Sequence, residues 1–196
     1  MPAPDLMFEH GLDVKKGWFD MASLDYSAKL LSTVNYDVPR GRVVHLAKEG
    51  SRGDVFVPGV SATGVAIFLL NGSTDADVSN PGTTAAGNFM HQAVSPSGKL
   101  SGLVATGGYE IATTEYVKTS GSPAVAVVYS PGDLLTAPTT GGKDVEGVLT
   151  KAQAVQYVNP ICGVVSSGAS KNHNGVETLS FWCVYLPAGT TATIDP

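Results

Sequence analysis

The sequence predicts an all-β protein, a small β-barrel or β-sandwich of about eight to ten short strands with an extended N-terminal arm. Three observations predict it. Valine (24 residues) outnumbers leucine (15), and serine and threonine contribute 17 residues each. Valine and threonine are stiff at χ1 and fit a pleated surface. Glycine (23) and proline (12) are frequent enough to punctuate the chain with turns. Finally, apolar runs of strand length alternate with turn dipeptides, and no repeat at a fixed period points to a solenoid or propeller.

Residues 1–36 differ from the rest of the chain. They hold Phe8, Trp18, Phe19, Tyr26 and Tyr36 and many of the charges. Phe19, Leu24, Ala28 and Leu31 recur at loosely helical spacing, so a short helix is expected within Trp18–Leu31. The segment reads either as an arm docking on a neighbouring subunit or as a piece packed on its own domain. Residues 37–187 read as the β-rich domain, and 188–196 as a tail.

The strands are read in chain order. Arg42–Leu46 is a short apolar run after Pro39 and Gly41, and Asp54–Val57 is closed by Pro58-Gly59. Val65–Leu70 is continuously apolar, as a strand buried on both faces should be, and stops at the turn dipeptide Asn71-Gly72. Residues 71–99 read as a long polar surface excursion. Strand patterns resume at Leu100–Thr106, Tyr109–Val117 and Ala124–Tyr129, then at Leu134–Thr136 after the Pro131-Gly132-Asp133 turn. Residues 137–147 are loop-like, and 148–158 fit a short helix or one more strand. Ile161–Val165 and Val176–Leu186 are the clearest strands, with Asn174-Gly175 suggesting a hairpin between them. In the last strand Phe181, Cys183 and Tyr185 take one face, and Trp182, Val184 and Leu186 the other. Both faces are apolar, so this strand should be central or lie at an interface.

Composition excludes several function classes. The longest apolar run spans six residues, far below the roughly 20 that cross a bilayer. The first residues, Met1-Pro2-Ala3-Pro4-Asp5, lack a basic start and an apolar core, so no secretory signal is read. Net charge is −5, and the few lysines and arginines gather only at Lys15-Lys16 and Arg40/Arg42, which argues against nucleic acid as a partner.

Catalytic constellations are not found. His10, His45, His91 and His173 show no metal-ligand spacing. His45 is expected as a satisfied, partly buried histidine and His173 as a loop residue. Gly163–Gly168 has the glycine spacing of a phosphate loop but lacks the lysine that reaches the phosphates. No serine-hydrolase elbow or dinucleotide fingerprint occurs. Glu110 and Glu115 should face opposite sides of a strand, and Asp75 and Asp77 lie in a polar loop. Both pairs are expected to be solvated, unlike the paired carboxylates of a glycosidase. Cys162 and Cys183, at nearly symmetric distances from the turn, suggest cross-strand neighbours. Free buried thiols are the default, with a disulfide left open. Arg52-Gly53-Asp54 and Asn71-Gly72-Ser73 read as turns. No enzyme, metal or cofactor is expected.

Four stretches carry a resemblance: Asp37–Leu46; Gly107–Glu110 with Thr113–Tyr116; Ser130–Pro138; and Cys162–Ser166 followed by Leu179–Trp182 and Val184–Pro187. Together they resemble capsid decoration, or cement, proteins of tailed bacteriophages over roughly residues 37–187. The resemblance implies a structural virion protein on the outer surface of the expanded head, clamping neighbouring major capsid subunits against internal DNA pressure. Its implied partners are the major capsid protein and copies of itself, as dimers or trimers at local symmetry axes. The expected interface residues are Trp18, Phe19, Tyr26, Tyr36, Arg40 and Arg42, and deleting residues 1–30 should leave the β domain folded. The alternative reading is a tail-tip or fibre-associated carbohydrate-binding module, motivated by the polar stretch 71–99.

Overall fold

A computed structural model describes residues 12–17, 25–62, 64–70, 72, 100–105, 108–152, 160–171 and 175–188. Among the described residues, thirteen strands form two principal layers and a small ribbon. Five of them close a barrel: β2 (Asp25–Leu30), β3 (Val43–Lys48), β4 (Asp54–Pro58), β5 (Ile67–Leu69) and β6 (Leu100–Val104). The barrel order is β2-β4-β3-β5-β6, with β6 returning to β2. Only the β2–β4 pair of the barrel is parallel.

The second layer is a six-stranded antiparallel sheet ordered β1-β7-β13-β12-β10-β11. Its members are β1 (Leu12–Gly17), β7 (Tyr109–Thr113), β10 (Leu134–Thr136), β11 (Thr150–Lys151), β12 (Ile161–Lys171) and β13 (Glu177–Leu186). A two-stranded ribbon, β8 (Thr119–Ser120) with β9 (Val125–Ala126), stands apart from both. The chain therefore enters through the sheet, builds the barrel and returns to the sheet.

The predicted all-β class holds, and so do most strand positions. The helix expected within Trp18–Leu31 does not form over its second half, because Asp25–Leu30 is the strand that closes the barrel. The period-2 series Tyr26, Ala28, Leu30 outweighs the loose helical spacing: Ala28 is buried and Leu30 packs on the barrel core. Residues 18–24 lie outside the described residues. So Leu12–Gly17 and Asp25–Leu30, expected within an arm, are the strands β1 and β2 of the two layers, and removing β2 would open the barrel. The Ala124–Tyr129 run is also shorter as a strand than its sequence suggests, with Val125 and Val128 exposed on the ribbon and just after it. The stretch 73–99 and the Asn172–Asn174 turn lie outside the described residues.

Two apolar clusters hold the fold. One fills the barrel with Val44, Phe56, Ile67, Leu69 and Leu100. The other lies between barrel and sheet, joining Val43, Phe68 and Leu103 to Ile111, Leu135 and Phe181. Phe68 and Phe181 meet across the layers with ring centroids 5.3 Å apart. Gly163 leaves the room this needs, because a Cβ there would lie 2.6 Å from the Phe181 ring. Ala66 through Leu69 are all buried, as the continuously apolar run predicts.

Backbone hydrogen bonds stitch the layers as well. Val43 N donates to Gly147 O (2.9 Å), Gly59 N to Val43 O (2.8 Å) and Val60 N to Ala137 O (2.9 Å). Gly59 sits at φ +93°, and a Cβ there would lie 2.2 Å from the Pro138 carbonyl oxygen. Only glycine combines that conformation with that approach.

Candidate functional site

The surface offers two features above its background: the outer face of the six-stranded sheet and a groove beside the barrel.

The sheet face follows from register. Leu134 on β10 pairs with Val164 on β12, Val164 with Trp182 on β13, and Trp182 with Glu110 on β7. Directly paired residues share a face, so these four form one row across the sheet. The neighbours of Trp182 along β13, Phe181 and Cys183, point into the shared core. By alternation Val184 and Leu186 join Trp182 outside. Trp182 is 41% exposed, and Leu134, Val164, Val184 and Leu186 are half-buried. Of the two expected settings, central or at an interface, β13 takes an interior place in the sheet, and among the described residues no strand or loop is layered on its second apolar face.

Glu110 and Glu115 were expected to be solvated, and both are buried. Glu110 accepts a hydrogen bond from Ser166 Oγ at 2.6 Å. Glu115 accepts one from Arg42 Nε at 2.7 Å. Arg42 also donates through Nη1 to the carbonyls of Lys143 (2.5 Å) and Glu146 (2.9 Å). Arg42 is thus an internal strut joining the start of the barrel to the sheet and to the 138–147 loop, and its side chain is not offered to a partner. Burial of a charge demands such pairing.

The groove lies where that loop faces the segment after β2. Its apolar floor is Leu31, Val34, Val57 and Pro58, and its volume is about 550 Å³. Around the rim stand Thr33, Asn35, Tyr36, Thr139, Lys143 and Glu146. Tyr36 donates its hydroxyl to Glu146 Oε2 across the groove. Gly142 N donates to Glu146 Oε1 at 2.9 Å. These hydrogen bonds, the Tyr36 hydroxyl first, hold the Glu146 carboxyl below its ordinary range. Burial, together with the same carboxylate, raises the Tyr36 phenol.

Four of the six expected interface residues lie among the described residues. Tyr36 is half-buried at the groove, Arg40 is half-buried and Arg42 is interior. Tyr26 lies in β2 opposite Gly102 of β6, while Trp18 and Phe19 lie outside the described residues. His45 is half-buried with Nδ1 2.9 Å from Gly59 O, as expected of a satisfied histidine. His10, His91 and His173 lie outside the described residues, among which no cluster of three metal-ligating side chains forms.

The cysteines are both buried and free. They are not directly paired, because a register shift between Ile161 and Gly163 sets Cys183 opposite Gly163. Burial pushes the Cys162 thiol up to about 12 and raises that of Cys183 as well. Neither has the exposed, electropositive setting of a reactive thiol.

Near the ribbon, Tyr116 and Tyr129 pack edge to face at 5.5 Å. Tyr116 donates to Glu177 Oε1 at 2.5 Å, and Tyr129 to Val117 O at 2.8 Å. These bonds tie the base of the ribbon to the β12–β13 hairpin.

The groove was missed by sequence reasoning. Gly141-Gly142 marked its loop, but nothing in the sequence pairs that loop with Tyr36, which is 110 residues from Glu146. Set against models of known protein families, curated proteins and solved structures, the chain matches none of them.

Proposed function

We propose that this chain is a structural virion protein that binds the outer surface of the expanded phage head and clamps neighbouring major capsid subunits. The observation that carries the reading is the open apolar face of the six-stranded sheet, centred on Trp182. Tryptophan seated among aliphatic neighbours is the usual anchor of a protein interface. The resemblance to decoration proteins names the partner, and the acidic net charge suits the outside of a DNA-filled shell. A clamp that binds only the expanded lattice stabilises that lattice by linkage, and many copies make modest contacts sufficient. Copies of this chain would meet at local symmetry axes as dimers or trimers.

Copy number per purified virion, measured by quantitative mass spectrometry against the major capsid protein, tests the proposal. A ratio near one, or a simple fraction of it, is expected of a lattice-wide clamp. A handful of copies, or none, would overturn it. Trp182→Ser is the sharper probe. Its side chain is partly exposed already, so the variant should stay folded, losing about 2–3 kcal/mol for the buried part of the ring, and fail to decorate heads that lack the wild-type protein. Full decoration by the variant would remove this face from the account.

A further inference from the structure

We propose that the groove between the Leu31–Tyr36 segment and the 139–146 loop is a binding site for a neutral sugar ring. The proposal does not rest on the virion reading.

The groove is amphipathic in the way a pyranose is. Leu31, Val34 and Pro58 offer an apolar floor for the C–H face of a ring. Asn35, Lys143 and Glu146 stand around it with donors and acceptors for ring hydroxyls. A volume of about 550 Å³ lies within the range of small-molecule sites.

Charge narrows the ligand class. Lys143 and Glu146 stand three residues apart on one loop and offset one another, so neither an anion nor a cation meets a net opposing charge. Two further charges stand nearby and neither lines the groove: Asp144 lies on the same loop, and the Arg42 guanidinium contacts Glu115 and the carbonyls of residues 143 and 146. An uncharged polyhydroxyl ligand satisfies both rim charges at once.

The acceptor is also fixed in place before any ligand arrives. Glu146 is held by the Tyr36 hydroxyl on one carboxylate oxygen and by Gly142 N–H on the other. The Gly141 backbone adds a weaker hydrogen bond, and a carboxylate has about four lone-pair sites, so room remains for a ligand hydroxyl. Arg42 holds the backbone carbonyls of residues 143 and 146, anchoring the loop that carries both rim charges. A preorganised acceptor reduces the ordering cost of binding.

The test is saturation-transfer NMR on the full chain with glucose, galactose and N-acetylglucosamine, each offered separately. Transfer to at least one sugar is expected, with a dissociation constant on the order of millimolar, as befits a handful of hydrogen bonds. Asn35→Ala should weaken that binding about tenfold, the worth of one hydrogen bond. Thr139→Trp should abolish it by filling the groove. Both positions are exposed, so the variants should melt with the wild type. No transfer to any of the three sugars would overturn the assignment, as would transfer unchanged in both variants. The measurement uses purified protein alone, so its failure and that of the particle copy number are separate results.

Discussion

Among the described residues, the five-stranded barrel pairs each strand with two neighbours, whereas the six-stranded sheet ends in two edges, β1 and β11. The barrel thereby satisfies its own backbone. The sheet is covered on one face by the barrel and keeps the other open, with Trp182 at its centre. Its edges are poor templates for further strands: β11 spans two residues, and β1 carries a register shift between Val14 and Lys16 and has two lysines in its sequence. The proposed docking through the sheet therefore falls to its face. The difference separates two layers. Closure leaves the barrel no edge to share, and the proposed docking surface lies on the open layer.

The comparison breaks most completely if the first two strands are removed. Deleting residues 1–30 takes away β1, an edge strand, and β2, which joins β4 to β6. The sheet would lose one edge strand and keep five strands, while the barrel would lose its closure and gain two unpaired edges, on β4 and β6. Loss of the cooperative thermal transition is expected. A truncated chain that still melts cooperatively would show that barrel closure does not depend on β2.

A smaller but still large effect is expected at the strut between the layers. Glu115→Ala leaves the Arg42 guanidinium buried with its two carbonyl partners and without its paired carboxylate, the Glu146 carboxylate acting only from a greater distance. Breaking a buried pair from one side costs about 3–5 kcal/mol. Denaturant unfolding should show a loss of this size with an unchanged slope. A loss under about 1 kcal/mol would mean that water reaches the arginine and that the pair behaves as a surface pair.

The seam between barrel and loop tests the same division more gently. Gly59→Ala would place a Cβ against the Pro138 carbonyl in a backbone conformation that disfavours side chains. Rigid backbone on the other side leaves little to yield, so a cost of about 1–3 kcal/mol is expected. Hydrogen exchange should rise at Val43 and Val60, whose amides donate across this seam. Unchanged exchange at both would show that the seam adjusts without opening.

How much of the molecule was legible in the sequence obeys the same division. Local patterns sufficed for individual strands. The apolar run at Val65–Leu70, buried from Ala66 to Leu69, and the two-faced apolar strand at Phe181–Leu186 both announce themselves through which neighbours are apolar. Pairings between distant segments were not legible. Arg42 and Glu115 are 73 residues apart, and each taken alone looks like a surface charge. Asp25–Leu30 was misread because its six residues allow both periods, and the partners that decide between them, β4 and β6, lie far along the chain. The groove joins two loops with no periodicity at all.

The smallest effect expected is at the groove, where the Tyr36–Glu146 hydrogen bond ties the segment after β2 to the 138–147 loop. Tyr36→Phe removes the donor at nearly constant volume and should cost about 1 kcal/mol, the net worth of one hydrogen bond. The pH dependence carries more information. Because the Glu146 carboxyl is held below its ordinary range in the folded protein, its contribution is complete above the unfolded value of about 4.3 and is lost as pH falls through the depressed folded value. The wild type should therefore lose its advantage over Tyr36→Phe as pH drops below that window, and the two stability curves should converge in acid. Parallel curves down to low pH would show that the tyrosine acts through packing on the barrel core, where it also lies, and that the loop is held by Arg42 and the backbone alone.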